Sequence, residues 1–214
     1  RHQEPLTFMT FPNKKYPDIA GFAGDYFEKY AVAAASVDRD KLAEAGQLLE
    51  AAYQRGATVH VCGNGGSAGI SNHLVCDHLK CIQTDTDLLP RVNSLSANIE
   101  MITAIANDIS YDECFVYQLR TLAQAGDVLI TISSSGDSEN VVRAAELARE
   151  NNVDVISMTG FTGGRTGNLA NVHLKVEGDN YGVIEDTHQS LMHILAQYLR
   201  QARMEESTII ERKF

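Results

Sequence analysis

Positive charge is scarce in this chain of 214 residues: 18 Lys and Arg stand against 28 Asp and Glu, a formal charge of −10. General nucleic-acid and anionic-membrane binders rely on large basic surfaces, so neither class of partner is expected. A small phosphorylated ligand remains compatible, because its recognition is local. Long apolar runs are also missing. No stretch approaches the roughly 20 residues of a membrane span, and no basic-then-apolar leader opens the sequence. Cys62, Cys76, Cys81 and Cys114 include no Cys-x-x-Cys pair, and a reducing cytoplasm is the simplest setting. Two glycine- or serine-rich loops lack the lysine of a nucleotide-binding P-loop. The spacing Gly63-x-Gly65-Gly66 also departs from the dinucleotide fingerprint.

What is present is a repeated grammar of apolar run, polar loop and helix start. Val59-His60-Val61-Cys62 breaks into Gly63-Asn64-Gly65-Gly66-Ser67-Ala68, and Asp127-Val128-Leu129-Ile130-Thr131-Ile132 breaks into Ser133-Ser134-Ser135-Gly136-Asp137-Ser138. Glycines let a backbone approach an anion closely, and the helix after each loop adds unpaired N–H donors and positive potential. Either loop alone is an ordinary turn. The two together, one with three consecutive serines, point to a phosphate ester.

The 44% hydrophobic and 21% charged content fits one α/β domain with a sizeable core. Residues 1–17 hold Pro5, Pro12 and Pro17 without a sustained period and are expected to be an extended arm, suited to packing on a partner subunit. One domain is expected over 18–206 and a charged tail over 207–214. Helical spacing of apolar residues predicts helices over 19–35 and 38–55. Strand and helix then alternate: strand 57–62, helix 67–81, strand 91–96, helices 98–106 and 111–123, strand 127–132, helix 138–151, strands 153–159 and 171–176, helix 183–204. Alternation favours a parallel sheet covered by helices, with ligands at the carboxyl ends of strands, where both loops lie.

With the loops placed, a resemblance emerges. Gly63-Asn64-Gly65-Gly66-Ser67-Ala68, then Thr103-Ala104-Ile105-Ala106-Asn107-Asp108, then Gly126-Asp127-Val128-Leu129-Ile130 through Ser135-Gly136-Asp137-Ser138-Glu139-Asn140-Val141, resembles the sugar isomerase (SIS) superfamily over about residues 20–204. Within it the pattern is most similar to the bacterial phosphoheptose isomerases. The resemblance implies a single SIS domain with a five-stranded parallel sheet flanked by helices. It also implies N-terminal helices used in oligomerisation, a homotetramer, and active sites built between subunits. The implied reaction interconverts sedoheptulose 7-phosphate and D-glycero-D-manno-heptose 7-phosphate by acid/base proton transfer through an enediolate.

Helical spacing supplies candidates. His73 and Asp77, four residues apart, share one helix face and could share a metal or a proton. His78 points about 100° away and is expected to be a surface or interface histidine. Near the end of the chain Glu185, His188, Gln189 and His193 crowd polar groups among Leu191, Ile194 and Leu195. Glu185 and His193 stand roughly 12 Å apart along a helix axis, so they serve one site only across a ligand or from different subunits. The resemblance makes His193 the catalytic histidine and Asp77 the acid/base, one methylene shorter than the family's glutamate. It also implies zinc held by His73, Asp77, Glu185 and His193. An aspartate bound to zinc is a weaker base than a free one, so the two roles of Asp77 are in tension.

Substrate and phosphate are expected on Asn64, Gly65, Ser67, Asn98, Ser133, Ser134, Ser135, Ser138 and Glu185. The chain departs from the family pattern in two places. Ser96-Ala97-Asn98-Ile99 replaces a run with an aspartate, and Gly182-Val183-Ile184-Glu185 replaces an aspartate-arginine-isoleucine-glutamine run. These departures lead us to expect a specialised branch of heptose metabolism. Other readings are a non-catalytic SIS module, as a sugar-phosphate sensor or a replication-initiator-binding adaptor, and an isomerase of another phosphosugar.

Overall fold

The structure is a computed structural model and describes residues 10–214. The part of the expected arm within these bounds folds back on its own chain. The ring of Phe11, 5% exposed, meets Phe22 at 5.1 Å and Tyr26 at 6.0 Å; the rest of that expectation, residues 1–9, lies outside the described residues.

Helix α1 (Ile19–Ser36) starts at Asp18, whose carboxylate accepts from the Gly21 N–H at 2.8 Å. Helix α2 (Arg39–Gln54) starts at Asp38 in the same way. Five strands come next: β1 (Thr58–Cys62), β2 (Arg91–Ser94), β3 (Val128–Ile132), β4 (Asp154–Thr159) and β5 (Val172–Lys175). They form one parallel sheet in the order β2-β1-β3-β4-β5. Every residue of β3 is buried, as expected of a strand covered on both faces. One apolar core packs α1, α2, α3 (Gly66–Cys76) and α8 (Tyr181–Ala202) on one side of the sheet. A second packs α4 (Ile99–Asp108), α5 (Val116–Leu122) and α6 (Glu139–Glu150) on the other. Among the described residues no helix is long and apolar enough to cross a membrane.

The expected elements are present, with differences that have causes. The helix expected over 67–81 is two pieces: α3 ends at Cys76 and a π-helix runs Asp77–Ile82. The expected 111–123 helix is a 3₁₀ turn, Tyr111–Glu113, and then α5. Helix α7 (Gly164–Leu169) was not expected; it follows two glycines at positive φ, Gly163 at +91 and Gly164 at +59. In the tail a single turn, α9 (Glu206–Ile209), leads to Arg212, which pairs with Asp85 at 2.8 Å.

Candidate active site

The strand order reverses between β1 and β3, so a ligand crevice opens beyond their carboxyl ends. There, a cavity of ≈ 180 Å³ is lined by Asn64, Ser67, Ser133, Ser134, Ser135, Ser138, Tyr181 and Glu185. None of these lining residues is a lysine, arginine or histidine. Attraction for an anion must come from hydroxyls and from backbone N–H groups at the starts of α3 and α6. The Ser134 hydroxyl is buried with no partner among the described residues. Ser138, at the cap of α6, makes no side-chain cap bond. Gly136 holds the loop at φ +67, next to the carbonyl of Gly163, where a side chain has neither the conformation nor the room.

Asn64 is fixed by reciprocal amide bonds with Asn140, at 2.8 and 2.9 Å, and its Oδ1 also accepts from the Tyr111 hydroxyl at 2.7 Å. Asn140 is 2% exposed. Sequence reasoning missed both partners, because nothing in linear spacing ties residue 140 or 111 to 64. Asn98 is not among the residues lining the cavity; its Oδ1 caps α4 by accepting from the Met101 N–H at 2.8 Å. Gly65 turns the loop at φ +55 and is exposed. The Glu185 carboxylate lies over Gly66, where an added Cβ would stand 2.6 Å from Oε2. Burial, and then the neighbouring Asp186, push the Glu185 carboxyl above the usual range.

Helices α3 and α8 bring together the second group. Asp77 Oδ1 lies 3.3 Å from His73 Nε2, and Oδ2 lies 3.5 Å from His193 Nε2. The two imidazoles meet edge to face, with centroids 5.1 Å apart. One donor atom from each of the three residues falls within 4.8 Å of the others, a spacing that fits one metal ion. Glu185, expected as a fourth ligand, is not in this group. Gln189, one turn before His193, lies beside it: its Nε2 is 3.2 Å from His73 Nδ1 and 3.3 Å from His193 Nε2. The i, i+4 spacing of Gln189 and His193 was the available signal. The group is open, with the His73 and His193 side chains 45% and 42% exposed and Asp77 21%.

Asp77 is the first residue of the π-helix, whose wider turn re-aims the side chains after it. His78 therefore enters the core rather than the surface or an interface. It is fully buried, its Nδ1 meets the Tyr53 hydroxyl at 2.5 Å, and burial lowers its pKa to about 3. His188 is likewise buried. Its Nε2 donates to the Thr159 carbonyl at 2.9 Å, and burial lowers its pKa to about 4. Glu185, Gln189 and His193, four residues apart in turn, form one stripe along α8 that joins the serine cavity to the Asp77 group, roughly 12 Å in length.

The SIS domain signature matches residues 25–160. A phosphoheptose isomerase of Colwellia psychrerythraea is 36% identical over 171 residues, covering 78% of this chain and 87% of that protein. Solved phosphoheptose isomerases from Neisseria gonorrhoeae and Francisella tularensis superpose with TM-scores of 0.77 and 0.78. Each is 28% identical and covers 86% of this chain, and 97% and 96% of their own. The signature match over most of the chain, together with the identity to these relatives, shows that the chain belongs to the SIS domain family and is a relative of the phosphoheptose isomerases.

Proposed function

We propose that the chain is an aldose–ketose isomerase that interconverts sedoheptulose 7-phosphate and D-glycero-D-manno-heptose 7-phosphate. The observation that carries this reading is the α8 stripe, which links a cationless serine cavity for the phosphate to an aspartate between two histidines. An extended sugar phosphate has the length to span the two ends of the stripe.

Isomerisation moves one proton between adjacent carbons and adjusts protons on two oxygens. Asp77 takes the proton from the hydroxyl-bearing carbon beside the carbonyl and returns it to the former carbonyl carbon. His193 protonates the carbonyl oxygen and accepts the proton of the neighbouring hydroxyl. The serines and the amide donors at the starts of α3 and α6 hold the phosphate, so the reacting carbons meet Asp77 in a fixed pose. In a separate, zinc-bound state His73, Asp77 and His193 would hold the ion, whose charge would polarise the carbonyl; the proton transfers belong to the state in which Asp77 and His193 are free. Asn64, locked by Asn140 and Tyr111, is suited to a sugar hydroxyl.

The His73 and His193 side chains face outward, and beside them an apolar groove between α2 and α8 is lined by Leu42, Ile194, Leu195 and Tyr198. This exposed surface supports a homotetramer whose neighbouring subunits close the sites. Light scattering should give four chains per particle. The reaction itself is tested by NMR of sedoheptulose 7-phosphate in deuterated water. Conversion with deuterium at the carbon beside the carbonyl is expected. Tight binding without exchange would instead point to a sugar-phosphate sensor.

A further inference from the structure

Resting on the reading of the serine cavity as the phosphate site, we propose that Arg165, which does not line that cavity, is the positioning residue that aims the donors of the serine loop. The segment from Gly160 to Thr166 stands behind the loop, and none of its residues lines the cavity. It draws the loop carbonyls toward itself. The Gly160 N–H donates to the Ser134 carbonyl at 2.8 Å, and the Thr166 N–H donates to the Gly136 carbonyl at 2.9 Å. Arg165 extends this row, with a terminal guanidinium nitrogen donating to the Asp137 carbonyl at 3.1 Å. In a trans peptide the C=O of one residue and the N–H of the next point in opposite directions. The N–H groups of Ser135, Asp137 and Ser138 therefore turn away from the segment behind. The Asp137 N–H is spent on Ser135 Oγ at 3.2 Å, which leaves the proton of that hydroxyl to donate to an anion.

Arg165 holds the Ser138 end of the loop from both sides. Its Nε donates to Asp137 Oδ1 at 2.5 Å, and a terminal nitrogen meets Glu139 Oε2 at 2.9 Å. One planar guanidinium thus fixes the residues before and after Ser138, because its donors are set in a rigid fork. Gly164, at φ +59, lets the two segments touch: an added Cβ would stand 2.4 Å from the Gly136 carbonyl. The Arg165 and Asp137 side chains are 50% and 56% exposed, and ion pairs this open contribute little to stability. Loss of Arg165 should therefore be read in phosphate binding rather than in unfolding.

The test sets the affinity for inorganic phosphate, from phosphorus NMR titration, beside the kinetics of sedoheptulose 7-phosphate and the urea midpoint. Arg165→Ala should weaken phosphate binding and raise KM by about 10-fold, while kcat stays within about twofold and the urea midpoint does not move. Arg165→Lys should recover part of the loss, since a cation remains beside Asp137 without the fork. Arg203→Ala, which removes the ion pairs with Asp87 and Glu50, should leave phosphate binding unchanged. Wild-type phosphate affinity and KM in Arg165→Ala overturn the assignment. So does a fall in kcat or in the urea midpoint large enough to account for the binding loss, or an Arg165→Lys no better than Arg165→Ala. A wild-type chain that binds no inorganic phosphate overturns this assignment together with the phosphate reading of the cavity, whereas the deuterium experiment tests the isomerisation by itself.

Discussion

Among the described residues, two aspartate–histidine groups use the same residue types in opposite surroundings. Near the amino ends of β1 and β3, His60 Nε2 meets Asp127 Oδ2 at 3.2 Å with side chains only 2% and 9% exposed. Asp127 also accepts from the Thr58 and Gln124 N–H groups, each at 2.9 Å, and His60 Nδ1 faces the Asn93 amide at 3.4 Å. Burial lowers the His60 pKa against the opposing pull of Asp127, so the ring is neutral and donates from Nε2. Every polar atom there is occupied, which makes the pair a lock between strands. Asp77 with His73 and His193 is the reverse, with the two rings nearly half exposed and, among the described residues, side-chain hydrogen bonds only from Gln189 to the histidines. An acid/base group must be free to meet substrate. Openness and unspent lone pairs, rather than residue type, separate the site from the lock.

The sharpest way to break this contrast is to remove basicity from one aspartate at a time. Asp77→Asn and His193→Gln should each lower turnover by about 100-fold or more, equivalent to about 2.7 kcal/mol of barrier, with little change in substrate binding or stability. Steady-state kinetics alongside urea unfolding checks this; near wild-type turnover in both variants would falsify the assignment.

Asp127→Ala should do the converse. It strands two backbone N–H groups and His60, and should cost about 2 kcal/mol of stability while turnover per folded chain stays unchanged. A kinetic defect larger than the loss of folded protein would mean that the lock reaches the site.

Acid should also act through buried histidines. His78 and His188 have folded pKa values of about 3 and about 4, below the unfolded value near 6.5. Both are neutral in the native chain, and the unfolded chain binds more protons once the pH drops below about 6.5. Stability from this source is therefore complete above that pH and is lost progressively toward pH 4, with a slope of up to about 1.4 kcal/mol per pH unit for each ring. Urea midpoints that stay flat between pH 7 and 5 would contradict it.

The smallest effect is expected at the serine cavity. Ser135→Ala or Ser138→Ala should each weaken substrate binding by about 1 kcal/mol through a lost hydrogen bond to a charged acceptor. Calorimetric titration with the sugar phosphate measures it, and equal affinity in both variants would remove the phosphate anchor.

Much of this was legible in the sequence. Apolar runs that end in Gly63–Ser67 and Ser133–Ser138 announced strand ends facing a ligand, and alternation of strand and helix announced a parallel sheet. Helical spacing put His73 with Asp77, because i, i+4 neighbours meet whatever the rest of the fold does. The less legible parts depend on partners distant along the chain. Asn140 and Tyr111 reach Asn64 across 76 and 47 positions, and Asn98 turns out to cap α4.

Local periodicity determined the elements, their order and the loops at the strand ends, since each depends on side chains a few residues apart. The tertiary structure decided which polar groups stay available. The π-helix beginning at Asp77 sends His78 into the core against Tyr53. The packing of α8 against α3 sets Glu185 over Gly66 and Gln189 between two histidines. The physical reason is that helix geometry gives the angle of a side chain around its own axis but not what covers that face. Burial and hydrogen-bond saturation, which separate Asp127 from Asp77, exist only once the chain has folded.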